Sequence, residues 1–132
     1  MKQIDDLSGD REPQRIYEIR KIVVDAIVKT FNIDQNKIYT EDNLGKTRIL
    51  FNKNNIIYDI CYFEVDSQSI RIYFEDGIKY AGLGKINAES AEAVAKNIKE
   101  KLLVNKEIRI YYYPNLYLLY PKVEELIKFL RA

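Results

Sequence analysis

The sequence predicts an α+β domain with a mainly antiparallel sheet, and three observations predict it. Apolar residues recur at spacings of three and four over about Gln14 to Phe31, and again over Ala91 to Leu102, as amphipathic helices require. Between them lie runs rich in Ile, Tyr and Phe, separated by short groups of Asn, Asp, Gly and Ser, which read as strands joined by turns. No internal repeat or linker divides the chain, and 132 residues suffice for one domain with its own core.

Each element has its own signal. Residues 1–13 are polar and read as a flexible N-terminal arm, with a single domain over 14–132. The first helix presents Ile16, Ile19, Val23, Ile27 and Phe31 on one face, widened by Val24 and Val28. A short strand is expected at Lys37 to Thr40, then strands at Thr47 to Phe51, Ile56 to Val65 and Ile70 to Glu75, forming a meander. Gly77 to Gly84 leads to a middle helix that Asn87 can cap, with Glu89 and Glu92 in its first turn and lysines toward its end. Its inward stripe is Ala91, Val94, Ala95, Ile98 and Leu102. Glu107 to Tyr113 and Leu116 to Tyr120 are two more strand-like runs broken by Pro114-Asn115, and Pro121 is placed to open a C-terminal helix through Leu130.

The hairpin loops fix registers. With Lys53-Asn54 as the first tip, Arg48 faces Asp59 and Leu50 faces Ile57. With Ser67-Gln68 as the second, Glu64 faces Arg71, Tyr62 faces Tyr73 and Phe63 faces Ile72. Both registers bring opposite charges together, as cross-strand pairing favours. The same parity puts Leu50, Ile57, Cys61, Phe63, Val65, Ile70, Ile72 and Phe74 on a core face. It leaves Ile49, Tyr58, Ile60, Tyr62, Glu64, Arg71, Tyr73 and Glu75 on the other. That second face is either covered by a helix or the C-terminal segment, or is a contact surface.

Composition removes several chemistries. Hydrophobic residues make up 47% and charged residues 31%, so the chain is neither disordered nor of low complexity. There are 21 basic and 20 acidic residues, a net charge of +1, and hence no global field for nucleic acid or membrane. Histidine is absent, which removes the usual general base and the commonest metal ligand. One cysteine excludes an internal disulfide and multi-cysteine zinc patterns, and suits a reducing, cytoplasmic setting. The longest uncharged run, Ile110 to Pro121, is too short to cross a bilayer, and no targeting signal is visible.

Asp59 lies within the most apolar strand; a metal-dependent nuclease would need a second carboxylate and a strand-borne Glu-x-Lys, and Glu107-Ile108-Arg109 is the nearest approximation. An ion pair with Arg48 is the expected role of Asp59. Gly82-Leu83-Gly84 lacks the Lys-Ser or Lys-Thr of a phosphate loop and reads as a turn. Cys61 alternates with core residues and reads as a small buried hydrophobe. The densest aromatic cluster is Tyr111, Tyr112, Tyr113, Tyr117 and Tyr120, the candidate partner-binding residues. Lys46, Arg48, Arg71 and Lys79 give the meander and its exit a basic bias and are the candidate nucleic-acid contacts.

One stretch carries a resemblance. Asn36 to Asp42, the strand after Gly45, Asn54-Asn55 leading into Ile60-Cys61-Tyr62-Phe63, Ser69-Ile70-Arg71-Ile72, and Lys79-Tyr80-Ala81-Gly82-Leu83 before a helix occur in this order. The order resembles the small accessory domain that follows the nuclease region in prokaryotic proteins related to type I restriction endonucleases. The likeness covers about residues 30–104, and residues 105–132 depart from it. It implies an α+β domain tied to DNA restriction or defence, with no catalysis of its own.

The expectation is therefore a non-catalytic binding module acting by protein–protein or DNA contact in a prokaryotic or phage restriction or defence system. Its partner would be another protein or a second copy of the chain, with DNA as a further candidate and no membrane. No catalytic residue, metal ligand or cofactor is assigned. The alternative is a compact restriction-endonuclease-like nuclease, with Asp59 and Glu64 or Glu75 holding a divalent metal.

Overall fold

The computed structural model describes residues 15–120. The N-terminal arm and the expected helix from Pro121 to Leu130 lie outside them. The elements run α1 (Ile16–Phe31), β1 (Ile38–Asn43), β2 (Lys46–Lys53), β3 (Ile56–Val65), β4 (Ser69–Phe74), α2 (Gly77–Tyr80), α3 (Ala88–Lys99), β5 (Glu107–Tyr112) and β6 (Asn115–Tyr120). The strands form one sheet in sequence order, antiparallel throughout except for the parallel pair β4–β5. This is the α+β architecture that the sequence predicts.

Local chemistry sets the boundaries. At the start of α1 the Arg15 amide donates to the Glu18 carboxylate at 2.9 Å, and at its end Asn32 takes a left-handed φ of 51°. Asn87 and Ser90 exchange reciprocal side chain–backbone bonds at the start of α3, satisfying two donors that a helix start otherwise leaves open. The β1–β2 and β2–β3 hairpin loops have positive φ at both central positions, Leu44 (52°) with Gly45 (83°) and Asn54 (54°) with Asn55 (68°). That conformation matches the twist of the flanking strands.

The parallel β4–β5 pair needs a crossover, and α2 and α3 supply it. Asn97 of α3 donates to Thr30 of α1 at 2.9 Å, which ties the two longer helices together. Ile19, Val23 and Ile27 of α1 and Ala91, Val94 and Ile98 of α3 share one core with Ile49, Cys61, Phe63, Ile70, Ile72, Ile108 and Ile110 of the sheet. Both helices therefore cover the same side. The opposite side is called the outer face.

The β3–β4 register agrees with expectation: Glu64 faces Arg71, Tyr62 faces Tyr73 and Phe63 faces Ile72. The β2–β3 register does not. The tip is Asn54-Asn55, so Leu50 faces Asp59, and a bulge then shifts the pairing so that Ile49 faces Cys61 and Arg48 faces Tyr62. Ile60 is the extra residue. Both Ile60 and Cys61 are fully buried, as a bulge permits, because it interrupts the alternation of faces. Ile49, Ile60 and Tyr58 therefore belong to the core side, whereas Ile57 is half exposed and Leu50, although buried, stands outside the main core. The Glu75 amide donates to the Ile60 carbonyl at 2.9 Å, and Gly77 packs against the Asp59 backbone. The chain leaving β4 thus fits the bulge.

Candidate partner-binding face

Two parallel pairs of rings cross the outer face. The β3–β4 and β4–β5 registers place Tyr62, Tyr73 and Tyr111 in one row. The Tyr62 and Tyr73 rings lie 4.7 Å apart at 12°, and those of Tyr73 and Tyr111 lie 4.5 Å apart at 7°. Rings standing upright on neighbouring strands meet at about the 4.8 Å strand spacing, so their faces cover one another. At the β2 end, the Lys46 ammonium lies 5.0 Å from the Tyr62 ring centre and the Arg48 guanidinium 5.6 Å from it.

A charged row runs beside the tyrosines. Arg71 reaches Glu64 at 3.5 Å and Asp66 at 3.3 Å; Arg109, opposite Arg71 in the parallel register, reaches Glu107 at 2.9 Å. Arg48 is not directly opposite Asp59 but still reaches its carboxylate diagonally, at 3.3 Å. Partial burial pulls the Asp66 carboxyl upward, but hydrogen bonds from Gln68 and Ser69 and the Arg71 charge outweigh it and hold it below its ordinary value. Burial, then charge repulsion from the neighbouring Tyr111, pushes the Tyr73 hydroxyl up. Beneath this corner Lys106 is 1% exposed and donates to the Asp66 carbonyl at 2.7 Å.

The five candidate tyrosines do not form one cluster. Tyr111 stands on the outer face. Tyr112 and Tyr117 pack against the core, and the Tyr112 hydroxyl donates to Asp76 at 2.7 Å, which raises its pKa, with burial adding to the effect. Tyr113 is 94% exposed at the β5–β6 turn, and the Tyr120 side chain lies outside the described residues. Of the candidate nucleic-acid contacts, Lys46, Arg48 and Arg71 share the outer face. Lys79 sits apart on α2, by the β2–β3 hairpin end.

Two of the three acids of the nuclease alternative, Asp59 and Glu64, are engaged elsewhere. Asp59 pairs with Arg48 and Glu64 with Arg71. They lie five residues apart on one strand, about 17 Å at the usual rise. Among the described residues no group of three or more Asp, Glu or Cys side chains is placed to hold a metal ion. Cys61 is buried, which pushes its thiol pKa up.

Sequence reasoning placed Tyr62 opposite Tyr73 but did not add Tyr111, because the β4–β5 pairing joins segments far apart in sequence. It also passed over Arg109 as a member of the face and Lys106 as a buried cation. Alternation of Arg109, Tyr111 and the apolar Ile108 and Ile110 was the available signal.

No protein-family model, no curated protein and no solved structure matches the chain. Among the described residues no helix is long and apolar enough to cross a membrane.

Proposed function

We propose that this chain is a non-catalytic binding module whose outer sheet face docks a partner protein. The carrying observation is how that face spends its groups. The tyrosine ring faces are stacked on one another, so they offer edges and hydroxyl tips rather than platforms on which bases could stack. Arg48, Arg71 and Arg109 each already hold a carboxylate, so they are poor phosphate contacts. A rigid tyrosine ridge bordered by paired charges suits a protein interface, with an aromatic centre and a polar rim.

The resemblance over residues 30–104 extends this reading to a partner within a restriction or defence system. A free, buried Cys61 suits a cytoplasmic setting.

The experiment is affinity capture with the full chain and with Tyr111→Ser, Arg109→Glu and, as a control on α3, Glu92→Lys. Fluorescence anisotropy with single- and double-stranded oligonucleotides runs alongside. The reading expects one protein retained by the wild type and the control, lost from both face variants, and no oligonucleotide binding that the face variants weaken. Oligonucleotide binding abolished by Tyr111→Ser would overturn it.

A further inference from the structure

A cleft of about 510 Å³ runs along the ladder beside the β5–β6 turn, lined among others by Tyr62, Tyr73, Glu75, Tyr111, Tyr113 and Leu116. Its charge is one-sided. Among the described residues Glu75 is its one carboxylate, and no described lysine or arginine lines it. The other carboxylates nearby are engaged: Asp59 with Arg48, Glu64 with Arg71, Glu107 with Arg109, and Asp76 with the Tyr112 hydroxyl. Among the described residues the Glu75 side chain has no hydrogen-bond or ion-pair partner. Beside it stand the phenol groups of the ladder and the exposed ring of Tyr113.

The other end of the ladder shows what such a setting holds. There Arg48 lies 3.3 Å from the Asp59 carboxylate and 5.6 Å from the centre of the Tyr62 ring. A guanidinium is planar, bonds a carboxylate with a fork of donors and lies well against aromatic surfaces. The cleft at Glu75 offers the same two groups, a carboxylate and tyrosines, with no cation among the described residues that line it.

We infer that this cleft receives an arginine side chain of the partner protein. The guanidinium pairs with Glu75 and packs against the tyrosines of the ladder and Tyr113. The inference rests on the docking face proposed above and adds which residue of the partner is read there.

The test is an NMR titration of the full, isotope-labelled chain with the capped tripeptide Gly-Arg-Gly, and with the same peptide carrying neutral citrulline for arginine. The expected result is chemical-shift change centred on Glu75, Tyr111 and Tyr113, binding about fivefold weaker to Glu75→Gln, and weaker binding still for citrulline. Equal binding of the two peptides, no effect of Glu75→Gln, or shifts centred elsewhere would overturn it. Glu75→Gln leaves the ladder intact, so these outcomes bear on the cleft. A partner that survives Tyr111→Ser instead removes the docking face itself. Fingerprint spectra of the two variants establish that each is folded.

Discussion

Tyr73 and Tyr111 stand on parallel neighbouring strands with their rings 4.5 Å apart and 7° from parallel. This contact joins the meander to the β5–β6 hairpin on the outer face. A double-mutant cycle with Tyr73→Ala and Tyr111→Ala, read by denaturant unfolding, should give a coupling of about 1 kcal/mol. Strictly additive effects would mean that the stack contributes nothing beyond each ring's own burial.

The close approach of Gly77 to the Asp59 backbone predicts a steric penalty. A Cβ at position 77 would overlap the Asp59 carbonyl, and backbone cannot swing aside as a side chain can. Gly77→Ala should therefore cost at least about 2 kcal/mol, measured as a lowered unfolding midpoint. Gly45, with open space around its Cα, has no such neighbour.

Leu44 predicts the opposite sign. It is 96% exposed and has a φ of 52°, where a side chain is strained and this one buries nothing. Leu44→Asn places an Asn-Gly pair at the β1–β2 turn and should raise stability by about 1 kcal/mol. A calorimetric Tm unchanged or lowered would contradict the turn geometry.

Asp66 makes part of the stability pH-dependent. Its folded-state pKa lies below the ordinary 3.8, so the ionised carboxylate stabilises the fold above that value. The contribution fades as pH falls from about 4 through the lower folded-state pKa. Asp66→Asn should be less stable than the wild type near neutral pH, and the difference should shrink on acidification. Parallel stability curves would rule out this linkage.

How much was legible in the sequence follows from how local each signal is. Asn87 and the alanine stripe announced α3, and the Ser67-Gln68 tip fixed the β3–β4 register in which Glu64 faces Arg71. The bulge at Ile60 was hidden because Ile60 and Cys61 are both apolar and either fits the core side. Without it, the assignment of Leu50, Ile57 and Ile49 to faces came out reversed. Tyr111 joined the ladder only through the nonlocal β4–β5 pairing, which no turn encodes. Nothing local to Lys106 announces its burial, which goes with a bond to the Asp66 carbonyl presented by the β3–β4 turn.

The most direct test of the central claim is site-specific photocrosslinking in the presence of the captured partner. A benzophenone amino acid would replace exposed Tyr113 or Leu116 beside the ladder, and Tyr17 on α1 as the control. A discrete protein adduct is expected at positions 113 and 116 and none at 17. An adduct at 17 alone, or crosslinks only to nucleic acid, would contradict it.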